Sequence, residues 1–236
     1  MTRRRWIADE VSGDRAALTG PHAAHLARVL RARVGQEFDI AVGEVVRRGR
    51  ISAVHEGRVE FELAEQVPAA TELPVTLALS IFKFDHMEWG IEKCTELGVR
   101  DIIPLVAQRT DARLAAAAGK RVERWRRIAR EAAEQSRRVH SPDVQNPIAL
   151  KAALDLPGTS RIFLAEFNAS VSLKEALQTG SADSVLIAVG PEGGWTEAEH
   201  QAFTNAGWIA ASLGSTILRV ETAAIAAIAV VASERQ

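Results

Sequence analysis

From residue 75 onward, apolar strand-like runs alternate with helix-like stripes. More than any other feature, this alternation limits the chain to an α/β layer structure with a largely parallel sheet. The strand candidates are 75–82, 99–107, 161–167, 184–189 and 208–213, and the helix candidates are 85–97, 120–139, 173–178, 197–206 and 222–232. The first 70 residues read differently. Runs at 4–8, 38–42, 49–54 and 58–63 have strand character, the last with clean alternation, and Gly35, Gly43, Gly49 and Gly57 mark the turns. Leu26, Val29 and Leu30 form one short helical stripe. The expected organisation is a compact β-rich module over 1–70 and an α/β domain over 71–236, joined by a linker at 66–73 with Pro68 and Pro74 at its margins.

With 236 residues, 47% hydrophobic and 25% charged, the chain reads as an ordinary soluble globular protein. Its net charge of -1 conceals local imbalance. Residues 1–33 carry seven arginines against three carboxylates, and residues 120–138 carry eight basic side chains against three glutamates. Such patches suit a polyanion, because backbone phosphates supply most of the affinity of a nucleic acid. Arg3, Arg4, Arg5, Arg28, Arg31, Arg127 and Arg138 are the candidates for facing RNA. A solvated helix face laced with i,i+4 pairs is the competing reading of the second stretch, with Val122, Trp125, Ala129 and Ala132 as its buried stripe.

Several classes are disfavoured. Cys94 is the only cysteine, so no internal disulfide is possible; it reads as a small core residue of a cytoplasmic protein. The N-terminus lacks a signal-peptide pattern and the longest apolar run, 222–232, is too short to span a bilayer, so no membrane association is expected. His22 and His25 have i,i+3 spacing but no third ligand near them, and no metal is expected. Of the five tryptophans, Trp6 and Trp195 are the two considered for stacking on a base.

The stretch "GPEGGWTEAE", residues 190–199, follows an apolar run and places Thr196 and Glu199 in capping-box spacing. It is therefore a strand, a glycine loop and a helix start, a common ligand position in α/β proteins. It lacks the GK[ST] ending of a phosphate loop and does not match GxGxxG. Glu192 would repel a pyrophosphate but tolerate a cation. S-adenosylmethionine, with a sulfonium, an ammonium and no phosphate, fits those terms, and glycines let the backbone approach an adenosine closely. A tight turn with an exposed Glu192 is the plain alternative. A second segment, "SLGSTILRVETAAIAAIAVV", again runs from strand through a glycine loop into a helix, with Thr222 as candidate N-cap and Arg219 and Glu221 just ahead of it. A local Arg-carboxylate pair is the alternative there.

The pairing of "GPEGGWTEAE" with "LGSTILRVETA" resembles the SPOUT class of S-adenosylmethionine-dependent RNA methyltransferases. More narrowly it resembles the RsmE family of 16S ribosomal RNA uridine-N3 methyltransferases. The resemblance runs through "RRRWIA", "HLARVLRARVGQEF", "EKCTELGVRDIIPL" and "RWRRIAREAAEQSRR" with "SPDV" following, so it covers nearly the whole chain. One departure is Ser215-Thr216, where the family often carries an Arg before Ile-Leu-Arg. The resemblance implies a trefoil-knotted SPOUT domain after a PUA-like β-barrel, a homodimer, and 16S rRNA or the small ribosomal subunit as partner. It also implies that S-adenosylmethionine is held by Leu164, Glu166, Gly190, Pro191, Glu192, Gly193, Gly194, Leu213, Gly214, Ile217, Leu218 and Thr222. Arg219 would stabilise the anion developing on the uracil, and Glu221 or Glu192 would take the proton or hold Arg219 or the cofactor. Two other readings compete. A catalytically silent RNA-binding assembly factor would bind no cofactor, and a nucleotide-dependent oxidoreductase would need a phosphate-binding glycine fingerprint that this chain lacks.

Overall fold

In this computed structural model, which describes residues 5–68, 73–179 and 184–234, the chain divides into two units. One comprises residues 1–71 with 130–141, the other 72–129 with 142–236.

The first unit is built on strands β1 (Arg5–Ile7), β2 (Glu10–Ser12), β3 (Arg15–Thr19), β4 (Glu37–Val42), β5 (Val45–His55) and β6 (Arg58–Val67). They form one six-stranded sheet in the order β1-β4-β5-β6-β3-β2, antiparallel except for the β1–β4 pair. A short helix, α1 (Gly20–Ala24), runs on into a π-helical turn, His25–Val29. Alternation in β6 buries Val59, Phe61 and Leu63, which pack with Trp6, Leu18, Leu26, Ile40 and Ile51. Trp6 is thus a core residue, and its assignment to base stacking is corrected: a fully buried indole offers no face to a nucleotide. From the second segment of this unit, Val139 packs on Ala41 and Val46, while Arg130 donates to the Ile7 carbonyl at 2.7 Å and pairs with Asp9 at 2.9 Å. Arg5 also needs correcting. It is 6% exposed and donates to the Arg137 carbonyl; burial draws its pKa below the ordinary value, against the charge of Asp39. It belongs to the packing of this unit and not to an RNA-facing surface. Arg3 and Arg4 lie outside the described residues.

The second unit contains β7 (Val75–Ser80), α2 (Phe84–Glu96), β8 (Asp101–Val106), α3 (Ala112–Ala118), α4 (Val122–Gln135, of which residues from 130 on belong to the first unit), β9 (Asp143–Val144), β10 (Ile148–Ala149), α5 (Leu150–Leu154), β11 (Ser160–Leu164), β12 (Val171–Ser172), α6 (Leu173–Thr179), β13 (Val185–Val189), α7 (Glu197–Asn205), β14 (Ile209–Ser212) and α8 (Val220–Glu234). Its sheet is parallel throughout, in the order β10-β8-β7-β13-β11-β14-β12, with β9 paired to β8. The run Val185-Leu186-Ile187-Ala188-Val189 is apolar without a break because both faces of β13 are covered. Val185, Ile187 and Val189 meet Met87, Ile91 and Cys94 of α2 and Ala224, Ala227 and Ile228 of α8 in one core. Leu186 and Ala188 pack with Phe163, Phe203 and Trp208 in another. Cys94 is fully buried, which pushes its thiol up to about 12, so it is a core residue as the sequence suggested. The expected stripe of Val122, Trp125, Ala129 and Ala132 is buried. Helix α4 stops short of the expected residue 139, and Arg137 beyond it takes a positive φ of 61°. Among the described residues, no helix is long and apolar enough to cross a membrane.

Two glycines give opposite expectations. A Cβ on Gly49 of β5 would overlap the Ile40 side chain, whereas Gly119, at the end of α3 with φ -56°, has nothing within 4 Å of that position. Urea denaturation of Gly49→Ala should show a loss of about 1–3 kcal/mol, and that of Gly119→Ala no loss or a gain of about 0.4–1 kcal/mol.

Candidate active site

Strands β13, β11 and β14 are parallel neighbours, so the loops leaving their C-terminal ends emerge on one edge of the sheet. These loops enclose a cavity of about 370 Å³. Its walls are residues 164–168 after β11, 189–191 and 193–197 after β13, and 213–218 after β14, with Arg109, His200, Val220 and Ala223 completing them.

The glycine loop is held from several sides. Gly194 N–H donates to the Pro191 carbonyl at 2.8 Å, closing a turn in which Gly194 has φ +68°, a conformation that favours glycine. Trp195 donates its indole N–H to the Leu164 carbonyl at 2.8 Å, tying the loop to the end of β11. Its ring lies so close to Gly190 that a Cβ there would come within 3.2 Å of it. Arg109 donates to the Gly193 carbonyl at 2.6 Å. The capping box forms as its spacing indicated: Thr196 Oγ1 accepts from Glu199 N–H at 3.2 Å and Glu199 accepts from Thr196 N–H at 2.9 Å. The other oxygen of the buried Glu199 carboxylate accepts from Gln108 N–H at 2.7 Å. Two of the glycines thus have reasons internal to the protein, the close approach of Trp195 at Gly190 and the positive φ at Gly194, beyond any contact with a ligand.

Of the residues expected to hold a cofactor, Leu164, Glu166, Gly190, Pro191, Gly193, Gly194, Leu213, Gly214, Ile217 and Leu218 all line this cavity. Glu192 is exposed and outside the lining. Thr222 is not the N-cap: α8 begins at Val220, Ala223 N–H donates to the Arg219 carbonyl at 2.8 Å, and Thr222 sits exposed in the first turn. Arg219 is exposed between the lining residues Leu218 and Val220. Glu221 turns away from the cavity; it is 4% exposed and its Oε1 lies 2.8 Å from His86 Nδ1. Burial works to raise the Glu221 pKa, but the bond with His86, together with one from its own backbone N–H and the charges of His86 and Arg219, outweighs it and holds the carboxyl below its ordinary value. Sequence reading missed Arg109, Phe167, Asn168 and His200 as lining residues. Phe167 and Ile217 are 70% and 69% exposed, so the cavity wall carries apolar side chains open to solvent.

Chemically the cavity suits a cation better than a phosphate. Its lining includes the carboxylates of Glu166 and Glu197, and the Arg109 guanidinium is engaged by the loop carbonyls of Gly193 and Trp195. Among the RNA candidates, Arg28 is exposed with a carboxylate of Glu56 at 3.0 Å, Arg31 is exposed at φ 52°, Arg127 is exposed and Arg138 half-buried. His22 Nδ1 is 4.0 Å from Asp9, and no group of three or more His, Cys, Asp or Glu able to hold a metal occurs among the described residues.

Comparison with known proteins points the same way. The RNA methyltransferase domain family matches residues 69–232. Ribosomal RNA small subunit methyltransferase E of Bacillus subtilis is 31% identical over 233 residues, covering 93% of this chain and 90% of the relative. That of Synechocystis is 34% identical over 219 residues, covering 90% and 71%. The crystal structure of ribosomal RNA small subunit methyltransferase E from Neisseria gonorrhoeae bound to S-adenosyl methionine superposes with a TM-score of 0.86 at 33% identity, covering 97% of this chain and 96% of that one.

The Glu221 carboxyl predicts a pH dependence. Because its folded pKa is lowered, its contribution to stability is full above the ordinary carboxylate range and lost as the pH falls through its folded value. Glu221→Gln should therefore be less stable than wild type at pH 7, by about 1–3 kcal/mol, and denaturation curves of the two proteins should converge as the pH is lowered.

Proposed function

Since the chain belongs to the ribosomal RNA small subunit methyltransferase E family, we propose how its cavity carries out that family's chemistry. The protein is an S-adenosylmethionine-dependent methyltransferase of 16S ribosomal RNA. The finer reading is that it methylates N3 of one uridine. That atom comes from the family resemblance; the observation that carries the methyl-transfer site is the convergence of the 190–194 and 213–218 loops on a single cavity beside Arg219.

When bound, S-adenosylmethionine supplies a methyl group activated by a sulfonium. In this reading Glu166 and Glu197 would complement its positive charge, the backbone of Gly190, Gly193, Gly194 and Gly214 would hold the adenosine, and Leu164, Pro191, Leu213, Ile217 and Leu218 would supply apolar walls. Glu192 and Thr222, outside the lining, receive no cofactor contact. Uracil N3–H is shared in base pairing, so the target must be unpaired or flipped out. Arg219, placed against the uracil carbonyls, would stabilise the negative charge that develops as the N3 proton passes to solvent water. Glu221 serves this step through Arg219. A carboxylate bonded to His86 and held below its ordinary pKa is a weak base, and its negative charge lies two residues from the guanidinium of Arg219.

Arg28, Arg31, Arg127 and Arg138, with Arg3 and Arg4, are the side chains we assign to rRNA phosphates. The same reading gives residues 1–70 as a PUA-like barrel, 71–236 as a trefoil-knotted SPOUT domain, and the whole as a cytoplasmic homodimer. Membership of the family supports each of these.

Primer extension tests the activity. Small subunits from a strain deleted for this gene, incubated with the protein and S-adenosylmethionine, should give a new cofactor-dependent stop at one uridine, because N3 methylation blocks pairing. RNA binding without a stop would favour an assembly factor. Arg219→Ala should lower kcat about 100- to 1,000-fold with the fold intact; turnover within a few-fold of wild type would remove Arg219 from its role.

A further inference from the structure

Two carboxylates of the methyltransferase unit are buried among the described residues, Glu199 and Glu221. Glu199 is accounted for by the capping box of α7 and by Gln108. Glu221, in the first turn of α8, is bonded by its own backbone N–H and by a side chain from another helix. A charge removed from water needs a specific partner, and the partner here is the Nδ1 of His86 at 2.8 Å, from a residue 135 positions earlier in the chain.

The place of this bond gives it a consequence. His86 lies in the first turn of α2 and Glu221 in the first turn of α8. The two helices meet closely there: one turn further along α2, a Cβ on Gly90 would already stand 3.7 Å from the Glu221 Cβ. In the same turn of α8, Val220 and Ala223 are cavity wall, and the 213–218 loop leads directly into it through Arg219. The turn that carries Arg219 and closes the cavity is therefore tied to α2 through the Glu221 carboxylate. We propose that His86 is a positioning residue for methyl transfer: by holding Glu221 it fixes the first turn of α8, and with it Arg219 and the Val220–Ala223 wall, against α2. This rests on the cavity being the cofactor site.

The groups around the ring define how the tie depends on charge. Asp85 of α2 has a carboxylate oxygen 3.9 Å from His86 Nε2, so carboxylates flank both ring nitrogens. Glu88, also on α2, is engaged by Arg124 of α4 at 2.6 and 2.7 Å. Arg219 acts on Glu221 from the start of α8, and Lys83 precedes α2. A lysine in its place would keep a donor toward the buried carboxylate, and a leucine would leave it unmatched.

The test compares wild type, His86→Lys and His86→Leu in single-turnover methylation of small subunits between pH 6 and 8, with cofactor affinity measured by calorimetry and the fold checked by circular dichroism. His86→Leu should lower kcat/KM about tenfold or more, with weaker cofactor binding. His86→Lys, which keeps a donor toward Glu221, should recover most of that loss. If His86→Leu yields too little folded protein, His86→Gln is read in its place and should lose more than about twofold but less than about tenfold. A leucine or glutamine variant within about twofold of wild type would overturn the proposal, as would leucine and lysine variants equally impaired. Failure of the wild-type protein itself to bind S-adenosylmethionine would instead overturn the cofactor-site reading on which the proposal rests.

Discussion

The burial of β13 on both faces is the constraint from which the active site follows. A strand covered on two sides, between β7 and β11, is apolar at every position, and it runs parallel to both neighbours, as strands of doubly covered parallel sheets do. Parallel neighbours send their C-terminal loops to the same edge, so the glycine loop after β13 meets the ends of β11 and β14 whatever ligand is finally bound. What those loops then need is rigidity. It comes from contacts internal to the protein: the Trp195 indole on the Leu164 carbonyl, Arg109 on Gly193, and the Glu199 carboxylate bridging Thr196 and Gln108. A loop held in this way loses little further conformational freedom when a ligand arrives, which is the physical meaning of a preorganised site.

The parallel sheet was legible because its signal is local. Each strand of 75–82, 99–107, 161–167, 184–189 and 208–213 is recovered within a few residues, as are the helices between them. The cavity was legible for a related reason, since strand, glycine loop and capping box follow one another in sequence at 185–199. The elements that escaped are short or depend on distant partners. Helix α3 rests on Asp111, whose carboxylate accepts from the N–H groups of Arg113 and Leu114; that cap is visible in the sequence but precedes a run of alanines without an apolar stripe. The strands β9, β10 and β12 are each two residues long and are defined by pairing to β8 and β14.

Side-chain roles were harder to read than elements, because composition does not say which way a side chain points. Trp6 and Arg5 belong to a run of basic and aromatic residues that looks like a nucleic-acid surface, yet both turn inward, the indole into the sheet core and the guanidinium onto the Arg137 carbonyl. Arg109 carries no local motif; its position in the site arises from a contact with a glycine 84 residues later. Thr222 had the chemistry of a cap, but the helix begins earlier, at Val220, as the Ala223 N–H to Arg219 carbonyl bond shows. The same shift places Glu221 inside the first turn, where it is directed at His86 and not at the cavity. A carboxylate that the sequence offered as a base is, in the fold, buried and bonded to His86.

We propose that one cavity, walled by the 190–194 and 213–218 loops and flanked by Arg219, binds the cofactor for methyl transfer. A crystal structure of this protein with S-adenosylmethionine tests it most directly. The adenosine should lie between the two loops, the positive groups on the side of Glu166 and Glu197, and the sulfonium methyl directed to the space beside Arg219. Cofactor bound elsewhere, or in this cavity with its methyl group turned away from Arg219, would contradict it.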